Sequence, residues 1–262
     1  NHANGSGGAL SNQDDDFPAV LENAVFEQNT AANGGAIFNA WGGTTVYTNV
    51  MIRNNTATSK GGGVYHVAGS RSTYLNCVFE GNSAENGGGF YVESGYLVTD
   101  RTIMRHNVAT QSGGGGYSAT SGSGDQVRIR NTVFHGNSAS TAGAALYLDA
   151  NPTFLANVTV TANGSEVMSI PAFAGPSLTI STIANSIIHA NGVAFASTAN
   201  TSYSIVDGEQ SQGSNNQSVD PLFISTDSLH ADFLKLAAGS PAMNSGSNAA
   251  YTTAGGNLTN DL

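Results

Sequence analysis

The chain has 262 residues, of which 10% are charged, and its formal net charge is −10 at pH 7. A typical globular protein carries about 25% charged residues. The chain has just two lysines, Lys60 and Lys235, so it cannot neutralise a run of phosphates. This disfavours nucleic acid as a partner, and it disfavours an anionic membrane surface for the same reason. No apolar run is long enough to span a bilayer.

The first element in chain order is a partial repeat, because residues 7–10 (GGAL) lie 27 residues before residues 34–37 (GGAI). From residue 26 onward, a bulky apolar residue is followed three positions later by asparagine in seven places. These pairs are Phe26/Asn29, Ile52/Asn55, Phe79/Asn82, Met104/Asn107, Phe134/Asn137, Val160/Asn163 and Ile188/Asn191. Successive asparagines are 25 to 30 residues apart. Self-similarity at such a period predicts a solenoid of stacked repeats.

Most repeats read N-x-x-Φ-x-x-N-x-A, where Φ is bulky and apolar, followed by a glycine cluster and an apolar–aromatic pair. Glycine clusters, β-branched runs and two-residue alternation predict short strands joined by bends. We therefore predict an all-β fold, a right-handed parallel β-helix with about 27 residues and three strands per coil. About eight coils would fill residues 1–205, where the period holds. Residues 206–262 would form an irregular C-terminal segment that packs on or caps the β-helix.

Stacked repeats turn each repeated position into a column of like residues along the solenoid axis. The asparagine ladder comprises Asn29, Asn55, Asn82, Asn107, Asn137, Asn163 and Asn191. A second column, the bend column, comprises Asn23, Asn49, Asn76, Asn131, Asn157 and Asn185, with Arg101 in the fourth repeat. Asparagine tolerates the left-handed conformation of a sharp bend, and its amide can bond to copies above and below. Both columns are predicted to be structural.

The bulky apolar residues of the seven pairs are predicted to face the core. The residues after them form a charge column that should face solvent, with opposite charges on neighbouring coils stabilising it weakly. The charge column is Glu27, Arg53, Glu80, Arg105, His135, Thr161 and His189. The single cysteine, Cys77, lies in a predicted strand and is interpreted as a small buried hydrophobe.

Two further columns are candidates for binding. The residues of the outer apolar stripe stand two positions before those of the charge column, so on a strand they should face the same, outer side. The stripe comprises Val25, Met51, Val78, Ile103, Val133, Thr159 and Ile187. An exposed apolar surface of this length requires a cover, either another chain or the C-terminal segment. The aromatic column comprises Phe38, Tyr65, Tyr91, Tyr117 and Tyr147. We expect it outside, because Tyr hydroxyls need water or a partner; it could stack sugars, although simple edge packing is favoured.

The repeats resemble those of chlamydial polymorphic outer-membrane proteins, through the GGAI of residues 34–37, the FEQN of residues 26–29 and the later F-x-x-N units. They are equally similar to a large bacterial group of right-handed parallel β-helix surface proteins. Residues 220–223 (DPLF), 232–236 (DFLKL) and 239–242 (GSPA) resemble the DPxF…DFxLxxGSPA segment that follows such helices. In that group the segment continues further, so we expect a longer parent protein. The resemblance implies a secreted or surface-anchored passenger, often adhesive, with no agreed catalytic residues.

Because pectate lyases and polygalacturonases are also β-helices, an enzyme is the main alternative. The polygalacturonase signatures N-T-D and G-H-G are missing from the sequence, and only Arg128-Ile129-Arg130 is similar to R-I-K; this triplet is interpreted as an alternating strand. A lyase needs carboxylates gathered for calcium beside a basic residue, whereas the acids here are scattered. Asp14, Asp15 and Asp16 are interpreted as a solvated turn, with a weak calcium site as the alternative.

The leading hypothesis is an extracellular or cell-surface β-helix that acts as an adhesin or as a structural surface or filament element. It would bind host or cell-surface glycans or neighbouring copies through its outer columns, and no cofactor or metal is expected. The prediction leans against an enzyme. The alternatives are a polysaccharide-degrading lyase or glycoside hydrolase, and a fragment of a trimeric phage tailspike.

Overall fold

The computed structural model describes residues 1–13, 18–119, 126–149, 153–164, 172–176, 181–196, 199–207 and 211–253. The chain forms a right-handed parallel β-solenoid with almost no helix. The predicted fold is therefore confirmed. The solenoid makes about six turns of about 26 residues, slightly fewer than the eight expected. Every strand pair within its four sheets is parallel.

Successive coils build four sheets of different strand number, numbered here in the order in which the chain visits them; the later coils have no described strand in the fourth. Sheet 1 contains, in spatial order, β1 (Leu10–Asn12), β5 (Ile37–Asn39), β9 (Val64–His66), β13 (Phe90–Val92), β17 (Gly116–Ser118), β21 (Leu146–Leu148) and β24 (Phe173–Ala174). Sheet 2 contains β2 (Ala19–Glu22), β6 (Thr44–Thr48), β10 (Arg71–Leu75), β14 (Tyr96–Asp100), β18 (Gln126–Arg130), β22 (Thr153–Ala156), β25 (Thr182–Ala184), β27 (Ala199–Ser202) and β29 (Ser211–Gln212).

The other two sheets follow directly along each coil. Sheet 3 contains β3 (Val25–Glu27), β7 (Met51–Arg53), β11 (Val78–Glu80), β15 (Ile103–Arg105), β19 (Val133–His135), β23 (Thr159–Thr161), β26 (Ile187–His189) and β28 (Ile205–Val206). Sheet 4 contains β4 (Thr30–Asn33), β8 (Thr56–Lys60), β12 (Ser83–Ala84), β16 (Val108–Ala109) and β20 (Ser138–Ala139). The single helix of the described residues, α1 (Asn248–Thr253), lies in the C-terminal segment. No helix in the described ranges is long and apolar enough to cross a membrane.

The prediction of three strands per coil was wrong, because a left-handed residue separates sheet 3 from sheet 4. The residue just before each ladder asparagine has a positive φ, as in Gln28 (56°), His106 (55°) and Ala162 (55°). Gln, Asn, Gly, His and Ala all occupy this position in different coils. With no consistent glycine or asparagine there, the sequence pattern does not mark the bend.

The asparagine ladder is confirmed, and it is buried along its whole length. Asn107 illustrates the arrangement. Its amide nitrogen donates to Asn137 Oδ1 at 2.9 Å and to the Phe79 carbonyl at 3.0 Å. Its Oδ1 accepts from the backbone N–H of Asn82 at 3.1 Å and from the Asn82 amide at 2.9 Å. Each ladder side chain thus satisfies backbone groups at the sharp bend as well as its neighbour.

The bend column has a different role from the ladder. Its members have positive φ, from 46° at Asn131 to 55° at Asn49, a conformation that asparagine tolerates better than most residues. Their side chains bond to one another at the surface, as between Asn157 and Asn131 at 3.1 Å. Arg101 also adopts a positive φ, of 49°.

The seven apolar residues of the repeat pairs line the core as predicted. Six of them are fully buried and Phe26 is partly buried. The interior also holds polar groups that the repeat pattern did not indicate: His66 Nε2 lies 3.1 Å from the Tyr74 hydroxyl, and the Tyr47 hydroxyl donates to Asn39 at 2.9 Å. Burial lowers the pKa of His66 to about 3, so this imidazole is neutral and serves as a core side chain.

Cys77 is buried, in agreement with its interpretation as a small hydrophobe. Burial raises the pKa of its thiol to about 11. A thiol in this environment is protonated at neutral pH and is therefore a poor nucleophile.

Candidate functional site

The aromatic column lies on the outer side of sheet 1. Its alternating neighbours Ile37, Val64, Phe90 and Leu146 are fully buried in the core, and adjacent residues of a strand point to opposite faces. Phe38, Tyr117 and Tyr147 are partly exposed, while Tyr65 and Tyr91 are each 8% exposed.

Successive rings of the aromatic column contact one another from coil to coil. Tyr91 and Tyr117 are stacked with ring centroids 4.6 Å apart, and Tyr117 and Tyr147 are stacked at 4.7 Å. Tyr65 packs edge-on against Tyr91 at 5.9 Å. Because the stacked ring faces cover each other, this column offers hydroxyl groups and ring edges rather than open faces.

Charged side chains flank the aromatic column on both sides. Lys60 Nζ lies 5.0 Å from the centroid of the Tyr91 ring and 2.5 Å from Glu93 Oε2. The Tyr65 hydroxyl donates to the same carboxylate at 2.6 Å. Desolvation raises the pKa of Glu93, but the hydrogen bonds from Lys60 and Tyr65 and the Lys60 charge outweigh it, so that pKa is lowered overall. Glu93 is therefore ionised and held in place.

The pKa values of the Tyr65, Tyr91 and Tyr117 hydroxyls are raised above their ordinary value, mainly by desolvation, so these three groups stay protonated at neutral pH. Desolvation, followed by the charges of Glu93 and Asp149, raises the pKa of Tyr91 to about 12. Desolvation and the Asp149 carboxylate also raise the pKa of Tyr117, whose hydroxyl lies 3.3 Å from Asp149 Oδ2. This face of the molecule consists of hydrogen-bond donors with carboxylates beside them.

The outer apolar stripe points away from the core but is not uniformly open. Val25 is 59% exposed, whereas the later stripe residues are each partly buried. On the same sheet, the charge column forms ion pairs between neighbouring coils, Arg53 with Glu27 at 2.9 Å and Arg105 with Glu80 at 3.1 Å. Pairs of this kind at a partly exposed surface stabilise the fold only weakly.

Of the predicted C-terminal segment (residues 206–262), Val206 and Ser211–Gln212 still pair within sheets 3 and 2. Residues 218–253, called the C-terminal segment from here on, lie along sheet 3 over its later coils. Arg105 Nη1 donates to the Ser228 carbonyl at 3.4 Å, and the His135 ring contacts Phe233 at 5.0 Å between centroids. Further along, the Asn185 amide donates to the Ser247 carbonyl at 3.0 Å. The segment therefore covers part of the charge column, and it borders the stripe at the cleft lined by Thr159, Ile187 and Leu236. His135 and Thr161 of the charge column are buried instead of solvated. These contacts do not reach the early coils.

The buried His135 predicts an acid-sensitive attachment of the C-terminal segment. Burial, then the charges of His106 and Arg105, lowers the pKa of His135 from its ordinary value, with Asp227 of the segment opposing this. The attached form therefore prefers neutral imidazole. Attachment should be complete above about pH 6.5 and weaken as the pH falls below that value.

Hydrogen–deuterium exchange of residues 222–237, corrected for intrinsic rates, measures this effect between pH 7.5 and pH 5. His135→Gln should remove the pH dependence, because the amide does not titrate. His2→Gln, at an exposed position, should retain it. An unchanged pH dependence in His135→Gln would show that another group controls the attachment.

A cleft that the sequence did not indicate lies where the C-terminal segment meets the last coils. Its volume is about 300 Å³, and its lining includes Asn157, Ile187, Tyr203, Ile205 and Leu236. Tyr203 has a φ of 52° and stands one rung after Asn185 in the bend column, since Thr182–Ala184 pairs with Asn200–Ser202. In the sequence, the replacement of asparagine by tyrosine in the bend column was the signal that could have pointed to this cleft.

The described residues contain no group of three or more His, Cys, Asp or Glu side chains that could hold a metal ion. Asp14, Asp15 and Asp16 lie outside the described residues, so the calcium alternative stays a prediction. In the triplet 128–130, Ile129 is buried, and Arg130 pairs with Asp100 at 3.3 Å, as expected for an alternating strand.

A protein-family model described as "Right handed beta helix region" matches residues 1–134, which is half of the chain. Searches of curated proteins and of solved structures gave no significant match. The similarity to chlamydial proteins and to the DPxF…GSPA segment therefore stays a prediction.

Proposed function

The chain belongs to the right handed beta helix family, and from that premise we propose an extracellular or cell-surface protein that acts without catalysis. It serves as an adhesin or as a structural element of a surface or filament. Its outer columns bind glycans or neighbouring copies of the chain.

The observation that carries this proposal is the repetition of like side chains along the outside of the coils. The aromatic column presents one ring per coil, and the outer apolar stripe presents one apolar residue per coil on another face. Neighbouring coils are separated by about 4.8 Å. Such surfaces are periodic, and they suit a partner that is itself periodic, such as a glycan chain or a second solenoid.

The state of the carboxylates supports a non-catalytic role. Glu93 beside the aromatic column has a lowered pKa, whereas a general acid for polysaccharide cleavage needs a raised one. Glu27, Glu80 and Asp100 each pair with an arginine of the next coil. These acids hold coils together.

Assembly through the stripe is tested with Val78→Asp and Val133→Asp. If neighbouring copies associate there, each variant should weaken association roughly tenfold or more, because a carboxylate would be buried without a partner. Sedimentation velocity measures association, and circular dichroism checks that the coils remain folded.

Thr58→Asp, on the exposed outer side of sheet 4, is the matched control and should associate like the wild type. Unfolding of the monomer by the stripe variants would instead identify the stripe as core and remove the main support for this interface. Release of reducing ends or unsaturated products from polysaccharides by the pure protein would favour the lyase or hydrolase alternative and overturn the proposal.

A further inference from the structure

The cleft between the C-terminal segment and the last coils has the character of a binding site. Its apolar residues are contributed by both sides: Ile187 and Ile205 by sheet 3, and Leu236 by the C-terminal segment. Asparagine, serine, threonine and tyrosine residues add polar groups to the lining, and among the described residues no acidic or basic one takes part. Its volume of about 300 Å³ lies at the small end of the range for ligand pockets.

Tyr203 is the unusual residue of this cleft. The earlier members of the bend column at this position are asparagines or arginine, and the left-handed conformation costs asparagine less than it costs a bulky aromatic residue. Tyr203 nevertheless has a φ of 52°. Residues kept in such unfavourable conformations are concentrated at functional sites. In this column, tyrosine replaces the residue that the backbone prefers.

We propose that this cleft binds a neutral sugar residue of a glycan, with the Tyr203 ring packing against the sugar. The inference rests on the proposed glycan binding and assigns it to a definite place. A sugar ring has an apolar C–H face and hydroxyl edges, which match the isoleucine and leucine side chains and the amide and hydroxyl groups of the lining. Because the lining carries no charge, it offers no partner for an acidic or cationic sugar.

The aromatic column is less suited to this role. The faces of Tyr91 and Tyr117 are stacked on each other, and Glu93 and Asp149 lie beside them. Tyr203, in contrast, lines the cleft and is partly exposed. A ligand in the cleft would therefore lie beside Tyr203 without displacing a stacked neighbour such as those of the column.

The test is Tyr203→Asn, which restores the residue that the bend column prefers. The variant should unfold at the same temperature as the wild type or at one roughly 1–4 °C higher, because the backbone strain is relieved. Its affinity for a neutral oligosaccharide should nevertheless fall about tenfold or more. Gain in stability together with loss of binding would distinguish a ligand contact from a structural one.

Binding is measured by isothermal titration calorimetry with a glucose hexasaccharide, an N-acetylglucosamine hexasaccharide and an oligogalacturonate. Arg101→Asn is the matched control, since it makes the same change in the bend column outside the cleft, and it should bind like the wild type. Equal binding by Tyr203→Asn and the wild type would overturn the proposal, as would tighter binding of the acidic oligosaccharide.

The failure of this inference can be separated from that of the proposed function. If Tyr117→Ser abolishes binding while Tyr203→Asn retains it, the glycan lies on the aromatic column; the cleft assignment is then wrong, and the adhesive role stands. If the wild type binds none of the three oligosaccharides, the cleft assignment fails and the glycan-binding arm of the proposed function loses its support, leaving association between copies to be tested by the stripe variants.

Discussion

Replacing Asn107 with alanine is expected to lower the free energy of unfolding by about 3–5 kcal/mol. The change removes the buried partner of the Asn82 backbone N–H, of the Asn82 amide and of the Phe79 carbonyl. An unsatisfied buried polar group costs about 1–3 kcal/mol each. Since Asn107 is in the middle of the ladder, water has no short route to these groups. Urea unfolding followed by far-ultraviolet circular dichroism measures the difference.

Asn49→Gly is the matched control for the ladder variant. Asn49 is an exposed member of the bend column with a φ of 55°, a conformation that glycine adopts without strain. Its amide bonds to Asn23 at the surface, at 3.2 Å, where water can replace the lost partner. The cost should stay below about 1 kcal/mol. Similar costs for the two variants would mean that the ladder sets register without stabilising the fold.

These two variants also separate what the sequence could predict from what it could not. The fixed spacing of the asparagines predicted stacking, since any residue repeated once per coil must lie above its copy. The spacing did not distinguish the asparagines of the bend column, which turn the backbone, from those of the ladder, whose buried side chains form hydrogen bonds at the next bend. That distinction depends on φ, which differs between Asn49 and the buried Asn55, although both follow the same repeat.

The fourth sheet was missed for a related physical reason. Gln28, Gly81 and Ala162 all occupy the left-handed position before a ladder asparagine. The ladder side chain supplies the backbone hydrogen bonds at this bend, so the neighbouring residue is free to vary. A bend that is stabilised by its neighbour leaves no turn signature of its own.

The candidate sites were predictable only where they are periodic. Alternation placed the aromatic column and the outer apolar stripe on the outside. The C-terminal segment is aperiodic, so the sequence could name it as one of two covers for the stripe but not say which coils it contacts. His135 was predicted to be solvated for this reason, and it is buried against Phe233. The cleft at Tyr203 forms between a periodic and an aperiodic part, and repeat analysis alone could not locate it.

Replacing Gly116 with valine is expected to lower the free energy of unfolding by about 3 kcal/mol. Gly116 stands in the inward column of sheet 1, between Phe90 and Leu146. A Cβ atom there would lie 2.2 Å from Phe90 Cζ, and the Phe90 ring is fully buried and cannot swing into solvent. Thermal and urea unfolding measure the loss. Gly5→Val, where a Cβ would meet nothing within 4 Å, should change stability by less than about 0.5 kcal/mol.

The cause can be isolated by shortening the side chain that fills the gap. Phe90→Val alone leaves a cavity and should cost about 2–3 kcal/mol. In the double variant Phe90→Val/Gly116→Val, the new valine occupies the space that the ring vacates. Its cost should therefore be smaller than the summed single costs by about 2 kcal/mol, a coupling within the range seen for residues in contact. Additive costs would show that the local backbone conformation requires glycine at position 116. The Phe90 ring of the preceding coil would then not be the reason why this position of the apolar column lacks a side chain.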